Sequence, residues 1–367
     1  MSFYTPGHGL ITDTLIMHGL IRILAGNGVT LGTVRREGFR YVIEFNGTNL
    51  SKELDFLETL KRETELYLNF LEKSQNVKSD YENTSRKLRI AYKYLKKLDA
   101  ANIDQNNLNH LLKKLNEKLA SLDLETFKRL DHKDEAQEGR AKSKSLITLY
   151  LPLSFVYGKY YQKDRVLYDK FYLVCPNCFI TSTLGLLFGT AVVNFREGDK
   201  KVVYLVTLAP TNEMRIVDVL LLQRLLEKKP IEINVEINVL ASILYVLSLG
   251  ETVYALKNTD FEAIAWKLVR SGNFQRAEKH ETVNVGDLLG KIARIKLDFP
   301  EFPRFINECL LRDQDGAIIL NELAFYLTFG GDKYSVMRRV ARFVTEMFKK
   351  GRTACRYDIS QLERGIS

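Results

Sequence analysis

The first apolar segment of the chain predicts a buried helix over residues 10 to 26. Its apolar side chains cover most of the helix circumference: Leu10, Leu15, Ile16, Leu20, Ile21, Ile23 and Leu24. A helix that is apolar on nearly all sides belongs in a protein core. Thr12 or Asp13 is the expected N-cap, and Gly26 to Gly28 are expected to end the helix.

A β-hairpin pattern follows this helix. Residues 29 to 35 and 39 to 45 are rich in β-branched and aromatic side chains, with a tight turn favoured at Glu37-Gly38. The same order recurs in residues 175 to 210, where a turn is expected at Glu197-Gly198-Asp199. We predict two helix-plus-hairpin units that pair into one sheet. The alternative is two unrelated hairpins.

Helical periodicity dominates most of the remaining chain. Residues 50 to about 142 carry apolar side chains at three- and four-residue spacing between charged ones, which predicts a long helical insertion. Residues 129 to 145 lack this period and are typical of a polar link. Beyond Pro210, helices are predicted at 213–228, 236–249, 259–270, 284–297, 302–312, 316–329 and 332–350.

These patterns predict an α+β fold with two domains. The first, residues 1–210, is an α/β domain built from the two helix-plus-hairpin units and interrupted by the helical insertion at about 50–142. The second, residues 211–367, is a helical bundle. Trp266, the only tryptophan, is expected in the middle of a helix and in the core.

Composition is that of a folded, basic protein. The 367 residues are 46% hydrophobic and 27% charged, and the net charge of +9 favours a polyanionic partner. The apolar runs are too short or too interrupted to span a bilayer, so no membrane partner is expected. The four cysteines do not make an extracellular disulfide framework, and we expect a cytoplasmic protein.

The predicted helix at 332–350 is the clearest candidate for a polyanion-binding face. Residues 330 to 367 hold nine basic and four acidic side chains. Helical spacing puts Val336, Val340, Phe343, Val344 and Met347 on one side. It puts Arg338, Arg342 and Lys349 on the other side, with Arg339 and Lys350 on the flank. The alternative is an ordinary solvated basic surface.

The motif Cys175-Pro-Asn-Cys178 has the spacing of half a zinc site. Its other half is missing locally, because Cys309 and Cys355 are isolated and the five histidines are scattered. Two buried thiols, a redox pair or a disulfide are the alternatives. We expect no cofactor, with a structural zinc at Cys175 and Cys178 as the open exception.

The motif Gly7-His8-Gly9 precedes the first helix. Glycine amides at a helix N-terminus can hold a phosphate, but glycines also simply turn the chain. No phosphate-binding loop ending in Gly-Lys-Ser/Thr, no His-Glu-x-x-His motif and no Gly-x-Ser-x-Gly motif is present. We therefore expect a binding protein and name no catalytic residue, although a carboxylate nuclease stays open.

The N-terminal segment PGHGLITDTLIMHGLIRIL, with its glycine tip, Asp13 and apolar helix before a hairpin, resembles the large subunits of class 1 CRISPR effector complexes. The overall layout is most similar to the archaeal subtype I-A large subunit. The resemblance implies a cytoplasmic, non-catalytic subunit of a Cascade complex in antiviral defence. Such a subunit helps recognise the protospacer-adjacent motif, open the duplex and handle the target DNA.

The partners implied are target DNA, guide RNA, the backbone subunits, a small helical subunit and a helicase-nuclease. The resemblance places Gly7, His8 and Gly9 against DNA. Charge patterning adds phosphate contacts by Arg35, Arg36 and Arg40 near the hairpin and by Arg338, Arg339 and Arg342 on the last long helix. The alternatives are a metal-dependent nuclease and a structural scaffold without direct DNA contact.

Overall fold

The computed structural model describes residues 1–46, 122–130, 132, 137–138, 146–149, 172–197, 200–226, 231–257, 259–271 and 274–366. Most of the predicted helical insertion and of the polar link lies outside these residues. The described part mixes helices with β-sheets of four, five and three strands, which confirms the α+β class.

Helix α1 (Leu10–Gly26) has the predicted bounds and is buried along most of its length. The N-cap is Gly9, so the prediction of Thr12 or Asp13 is wrong. The helix ends where the amide of Asn27 donates back to Ile23 and Leu24, and Gly28 follows at a φ of 74°. A positive φ suits glycine because it carries no Cβ.

The first sheet has the strand order β1-β3-β2-β9. The predicted hairpin is present as β2 (Gly32–Glu37) and β3 (Arg40–Phe45), which turn at Gly38 with a φ of 65°. Two short strands missed by the sequence analysis pair with its edges: β1 (Ser2–Tyr4) and β9 (Met214–Arg215). Three short strands form a separate small sheet: β4 (Gln137–Glu138), β5 (Ile147–Thr148) and β6 (Tyr172–Val174).

The second unit consists of helix α2 (Pro176–Phe188) and the hairpin β7 (Ala191–Glu197) and β8 (Lys200–Pro210). This hairpin belongs to a five-stranded sheet of order β10-β7-β8-β11-β12, in which β10 is Ile231–Glu232. The two hairpins therefore lie in different sheets, and the prediction that they pair into one is wrong. The two units meet through their helices instead.

Helices α1 and α2 touch backbone to backbone. A Cβ added at Gly185 of α2 would lie 1.7 Å from the carbonyl oxygen of Leu15. A Cβ added at Gly19 of α1 would lie 2.1 Å from the carbonyl oxygen of Thr181. Both distances are far inside van der Waals contact, so only glycine permits this approach.

The segment predicted as a helix at 259–270 is a strand, β11 (Phe261–Ser271), and the following segment is β12 (Phe274–Asn284). Strand β11 pairs antiparallel with β8 on one side and with β12 on the other. Its consecutive apolar residues are buried on both faces, and such a run has no period that separates strand from helix. Trp266 lies in the core as predicted, but on this strand.

Helices account for most of the described chain after Pro210, and the five-stranded sheet takes strands from both sides of that residue. The helices are α3 (Ile216–Leu226), α4 (Val239–Ser248), α5 (Val253–Leu256), α6 (Gly286–Asp298), α7 (Phe302–Glu308), α8 (Gln314–Phe329), α9 (Lys333–Lys349) and α10 (Ile359–Ile366).

Cys309 and Cys355 form a disulfide across 46 residues of sequence, with their Cα atoms 5.0 Å apart. The interpretation of these two cysteines as isolated is therefore wrong. Residues so distant in sequence give no local signal of pairing.

His18 of α1 joins the two units in the core. Its Nε2 donates to the carbonyl oxygen of Leu208 at 2.7 Å, and its Nδ1 accepts from Nε2 of Gln223 on α3 at 3.3 Å. These contacts select the neutral ring, and burial lowers the pKa of His18 to about 4. The neutral imidazole is therefore part of the folded structure.

The contact between α1 and α2 predicts that one added methyl group at this contact destabilises the protein. Gly185→Ala should lower the free energy of unfolding by about 3 kcal/mol or more, because the methyl group collides with backbone that cannot move aside. Urea unfolding measures the change.

Gly290 supplies the matched control, since it also lies within a helix but its added Cβ would meet nothing closer than 3.6 Å. Gly290→Ala should be neutral or stabilising by up to about 1 kcal/mol. Equal effects of the two substitutions would contradict the close helix contact.

The lowered pKa of His18 predicts a pH dependence. Because the unfolded chain binds the proton more readily, the stabilisation is complete above about pH 6.5 and is lost as the pH falls toward 4. The stability difference between the parent protein and His18→Gln should therefore shrink by about 3 kcal/mol over that range.

Urea unfolding of both proteins at several pH values measures this difference. The comparison removes the pH dependence that the other ionisable groups contribute equally to both proteins. A difference that does not change with pH would show that His18 is not the responsible group.

Candidate functional site

The glycine loop, residues 5 to 9, connects β1 to α1 and wraps around one carboxylate. The amide of Gly7 donates to Oδ1 of Asp13 at 2.6 Å, and the amide of Gly9 donates to Oδ2 at 2.9 Å. Asp13 is fully buried. The two amides considered for a phosphate thus point to a side chain of the same protein, and Asp13 stabilises the loop ahead of the helix rather than acting as N-cap.

The environment of Asp13 has two opposing effects on its protonation. Burial raises the pKa of Asp13 to about 6, and the hydrogen bonds from Thr5, Gly7 and Gly9 work in the other direction. A carboxylate is an acceptor only, which suits a loop that offers several N–H donors. Asp13 therefore fixes the loop conformation, including the positive φ of Gly7 and Gly9.

Of the three hairpin arginines, one lies at this loop. A Cβ added at Gly7 would lie 2.8 Å from Nε of Arg40, so the Arg40 side chain covers Gly7. Nη1 of Arg40 donates to the carbonyl oxygen of Leu130 at 3.1 Å. The structure thus brings together Gly7 and Arg40, two residues proposed separately as DNA contacts.

The other two hairpin arginines form ion pairs within the protein. Exposed Arg35 lies 2.9 Å from Glu37 and 3.6 Å from Glu44. Arg36 pairs with Glu262 on β11, which links the first sheet to the second. Exposed ion pairs contribute little free energy, so Arg35 can exchange its carboxylate partner for another anion at small cost. Arg36 is half-buried and is less available for such an exchange.

Helix α9 has the predicted two-sided character. Its buried side consists of Met337, Val340, Phe343, Val344 and Met347, and Val336 is half-buried. The arginine face, which we define as Arg338, Arg339 and Arg342, is exposed. Arg339 pairs with Glu322 of α8, and Arg342 lies 2.7 Å from Glu346. Arg338 forms no ion pair within the described part of the chain.

A cysteine-histidine cluster lies beside the glycine loop. Nε2 of His132 is 3.0 Å from Sγ of Cys178 and 3.4 Å from Sγ of Cys175, and these three atoms all lie within 4.8 Å of one another. Nε2 of His8 is 3.4 Å from Sγ of Cys178. All four residues are buried. The partners that are missing beside the Cys175–Cys178 motif in sequence are thus supplied by the fold, from two of the scattered histidines.

Local sequence explains how the cysteines are presented. Cys175 is the N-cap of α2, its sulfur accepts from the amide of Cys178 at 3.4 Å, and Pro176 starts the helix. Burial opposes ionisation of Cys175, but the Cys178 thiol and His132 lower its pKa to about 5. The first turn of α2 thus directs both sulfur atoms to one point.

Asn177, between the two cysteines, anchors the chain that carries His132. Its Oδ1 accepts from the amide of Asp123 at 3.1 Å, and its Nδ2 donates to Oγ1 of Thr126 at 2.8 Å. These contacts hold a 3-10 helix (Leu124–Lys128), whose buried Phe127 packs edge-on against the His132 ring. Sequence spacing could not reveal this, because His132 lies 43 positions before Cys175.

None of the helices in the described ranges is long and apolar enough to cross a membrane. Among the described residues, the group of cysteine, histidine and acidic side chains that could hold a metal ion is the one formed by His132, Cys175 and Cys178.

Sequence comparison assigns the protein class. Residues 1–349 match the family described as "CRISPR-associated protein (Cas_Csa4)", and the chain belongs to this family. The chain is also 33% identical over 358 residues to a protein of Thermoproteus tenax named "CRISPR system associated protein Cas8", an alignment that covers 95% of this chain and 93% of that protein. The expected membership in a CRISPR system is thereby confirmed.

The Asp13 contacts predict that this carboxylate stabilises the folded protein. Asp13→Asn should lower the free energy of unfolding by about 2–4 kcal/mol, because the amide group gives up one acceptor oxygen and adds a donor facing other donors. Thermal or urea unfolding measures the loss. Asp287→Asn, at an exposed acid in the first turn of α6, is the control and should change stability by less than about 0.5 kcal/mol.

An Asp13→Asn protein as stable as the Asp287→Asn control would mean that the Gly7 and Gly9 amides do not depend on this carboxylate.

Proposed function

We propose that this protein is the large subunit of an archaeal, subtype I-A, RNA-guided CRISPR interference complex, and that it binds target DNA without cutting it. Membership in the CRISPR-associated family is the observation that carries the proposal. The "Cas8" name of the Thermoproteus tenax relative supports it. Guide RNA, backbone subunits, a small helical subunit and a helicase-nuclease are the proposed partners.

The arginine face of α9 is the proposed contact to the nucleic-acid backbone. Guanidinium groups bind phosphate in a fork geometry, and the ion pairs of Arg339 and Arg342 are exposed, so phosphate can replace the carboxylates. Two exposed aromatic side chains flank the start of this helix, Phe329 at 61% and Tyr334 at 79% exposure. Rings beside basic groups suit the stacking of bases from a displaced strand.

The glycine loop and Arg40 are the proposed contact near the protospacer-adjacent motif. The backbone amides of Gly7 and Gly9 donate to Asp13 and do not face outward. DNA contact here would therefore come from the Arg40 guanidinium, and the lack of side chains at the glycines would let the DNA approach closely. In such complexes base pairing with the guide reads the target, which leaves the protein to read a short motif and backbone shape.

The side chains that could hold a metal ion favour DNA binding without cleavage over the alternative of a metal-dependent nuclease. Nucleases that use magnesium ions hold them mainly through carboxylates and leave positions open for phosphate and water. The metal-capable cluster in the described part of the chain offers sulfur and imidazole ligands and is buried. This arrangement is typical of a structural site.

Neutralising the arginine face tests DNA contact. The triple variant Arg338→Gln, Arg339→Gln, Arg342→Gln, assembled into the complex, should bind target duplex roughly 10- to 100-fold more weakly at low salt. The slope of log affinity against log salt should fall by about 3, because three phosphate contacts are removed. Gel shifts over a salt series measure both quantities.

A second triple variant makes the same charge change elsewhere, at the exposed residues Arg294, Arg304 and Arg312. It should lose much less affinity. Equal losses in both variants would favour the scaffold alternative, in which the charge of α9 is incidental. Duplexes that differ only in the bases beside the target, tested with Arg40→Gln, separate motif reading from general affinity.

A further inference from the structure

We propose that Cys175, Cys178, His132 and His8 bind one structural zinc ion, which joins three separate parts of the chain. The zinc proposal does not depend on DNA binding, although His8 belongs to the glycine loop that also carries a proposed DNA contact. It completes the half-site that the sequence motif supplies with two histidines that are distant in sequence.

The spacing of the ligand atoms fits a tetrahedral ion. With Zn–S bonds of about 2.3 Å and Zn–N bonds of about 2.0 Å, a sulfur and a nitrogen ligand lie roughly 3.5 Å apart. Three of the four nitrogen-to-sulfur distances in the cluster are 3.0, 3.4 and 3.4 Å. The ligand atoms of His132, Cys175 and Cys178 lie within 4.8 Å of one another, and the His8 ring would move closer to complete the tetrahedron.

The ligand types and their burial select the kind of metal and its role. Thiolate and imidazole together favour zinc over magnesium or calcium, which prefer oxygen ligands. Cys175 is 8% exposed and Cys178 is 1% exposed, so a bulky disulfide substrate cannot reach the pair. Two sulfur and two nitrogen ligands in a closed site are typical of structural zinc rather than redox or hydrolytic chemistry.

The glycine loop gains a specific role in this site. His8 stands between two glycines with φ values of 85° and 123°, and the amides of both glycines are held by Asp13. The loop therefore turns back on itself and directs the His8 ring toward Cys178. We infer that the Gly7-His8-Gly9 motif serves to present a metal ligand.

The ion would fix the segment that carries His132. His132 follows the 3-10 helix that Asn177 holds against the first turn of α2, and Arg40 binds Leu130 in the same region. Zinc would thus tie the N-terminal loop, the segment that carries His132 and α2 to one point. Binding to the folded state alone stabilises that state by mass action.

Metal analysis of the full-length protein tests the proposal. Protein purified without added metal and analysed by mass spectrometry for elements should contain about one zinc ion per chain. Cobalt that replaces the zinc should give the strong visible absorption of a tetrahedral site with thiolate ligands. Both measurements use the parent protein and do not depend on how a variant folds.

Variants then assign the ligands. Cys178→Ser and His132→Gln should abolish stoichiometric zinc, and His8→Gln should weaken zinc binding roughly 10- to 100-fold in a competition with a chelator. The double variant Cys309→Ser, Cys355→Ser also removes two cysteines, but from the disulfide, and should keep full zinc content.

A folded parent protein that lacks zinc and takes up no cobalt would overturn the proposal, and so would stoichiometric binding of a different metal. Zinc that is lost from the Cys309→Ser, Cys355→Ser protein but kept by Cys178→Ser would place the ion elsewhere. Unchanged zinc affinity in His8→Gln would remove His8 from the ligand set.

Discussion

The backbone contact between α1 and α2 at Gly19 and Gly185 is the constraint on which the arrangement of the fold depends. Each helix carries its own hairpin, and the two hairpins lie in different sheets, so this helix pair is what sets one sheet against the other. His18 reinforces the junction from within the same helix, because its ring reaches the carbonyl oxygen of Leu208 on β8. Arg36 and Glu262 add an ion pair that also runs from one sheet to the other. The helices therefore form the common support of the two sheets.

The pattern of apolar residues predicts structure correctly where it is strong and local, as in α1 and in the β2–β3 hairpin. It fails at β11, because the apolar residues 263–266 are buried on both faces of the strand and do not alternate with polar ones, so that they match a buried helix equally well. It also misses contacts between residues far apart in sequence. His132 meets Cys178 across 46 positions of sequence, and the Cys309–Cys355 bond joins two helical regions that show no pattern in common.

In the candidate site, too, features set within one helix were predicted correctly and features set by tertiary contacts were not. Helical spacing correctly predicted that the arginines of α9 lie opposite its apolar side, since that depends only on the geometry of one helix. The hairpin arginines look alike in sequence, yet Arg35, Arg36 and Arg40 have three different environments. Charge patterning cannot separate them, because the carboxylate or carbonyl that each one meets is supplied by tertiary structure. The inward direction of the Gly7 and Gly9 amides escaped prediction for the same reason.

The disulfide between Cys309 and Cys355 has a mechanical consequence for the basic helix. The segment it closes contains all of α8 and α9, so the arginine face is carried on a covalent ring and not on an open C-terminal arm. A force applied to α9 is carried by the backbone on both sides of the helix, because the disulfide joins the two ends of this segment. A single break of the backbone between residues 309 and 355 would leave both helices tethered to the rest of the molecule.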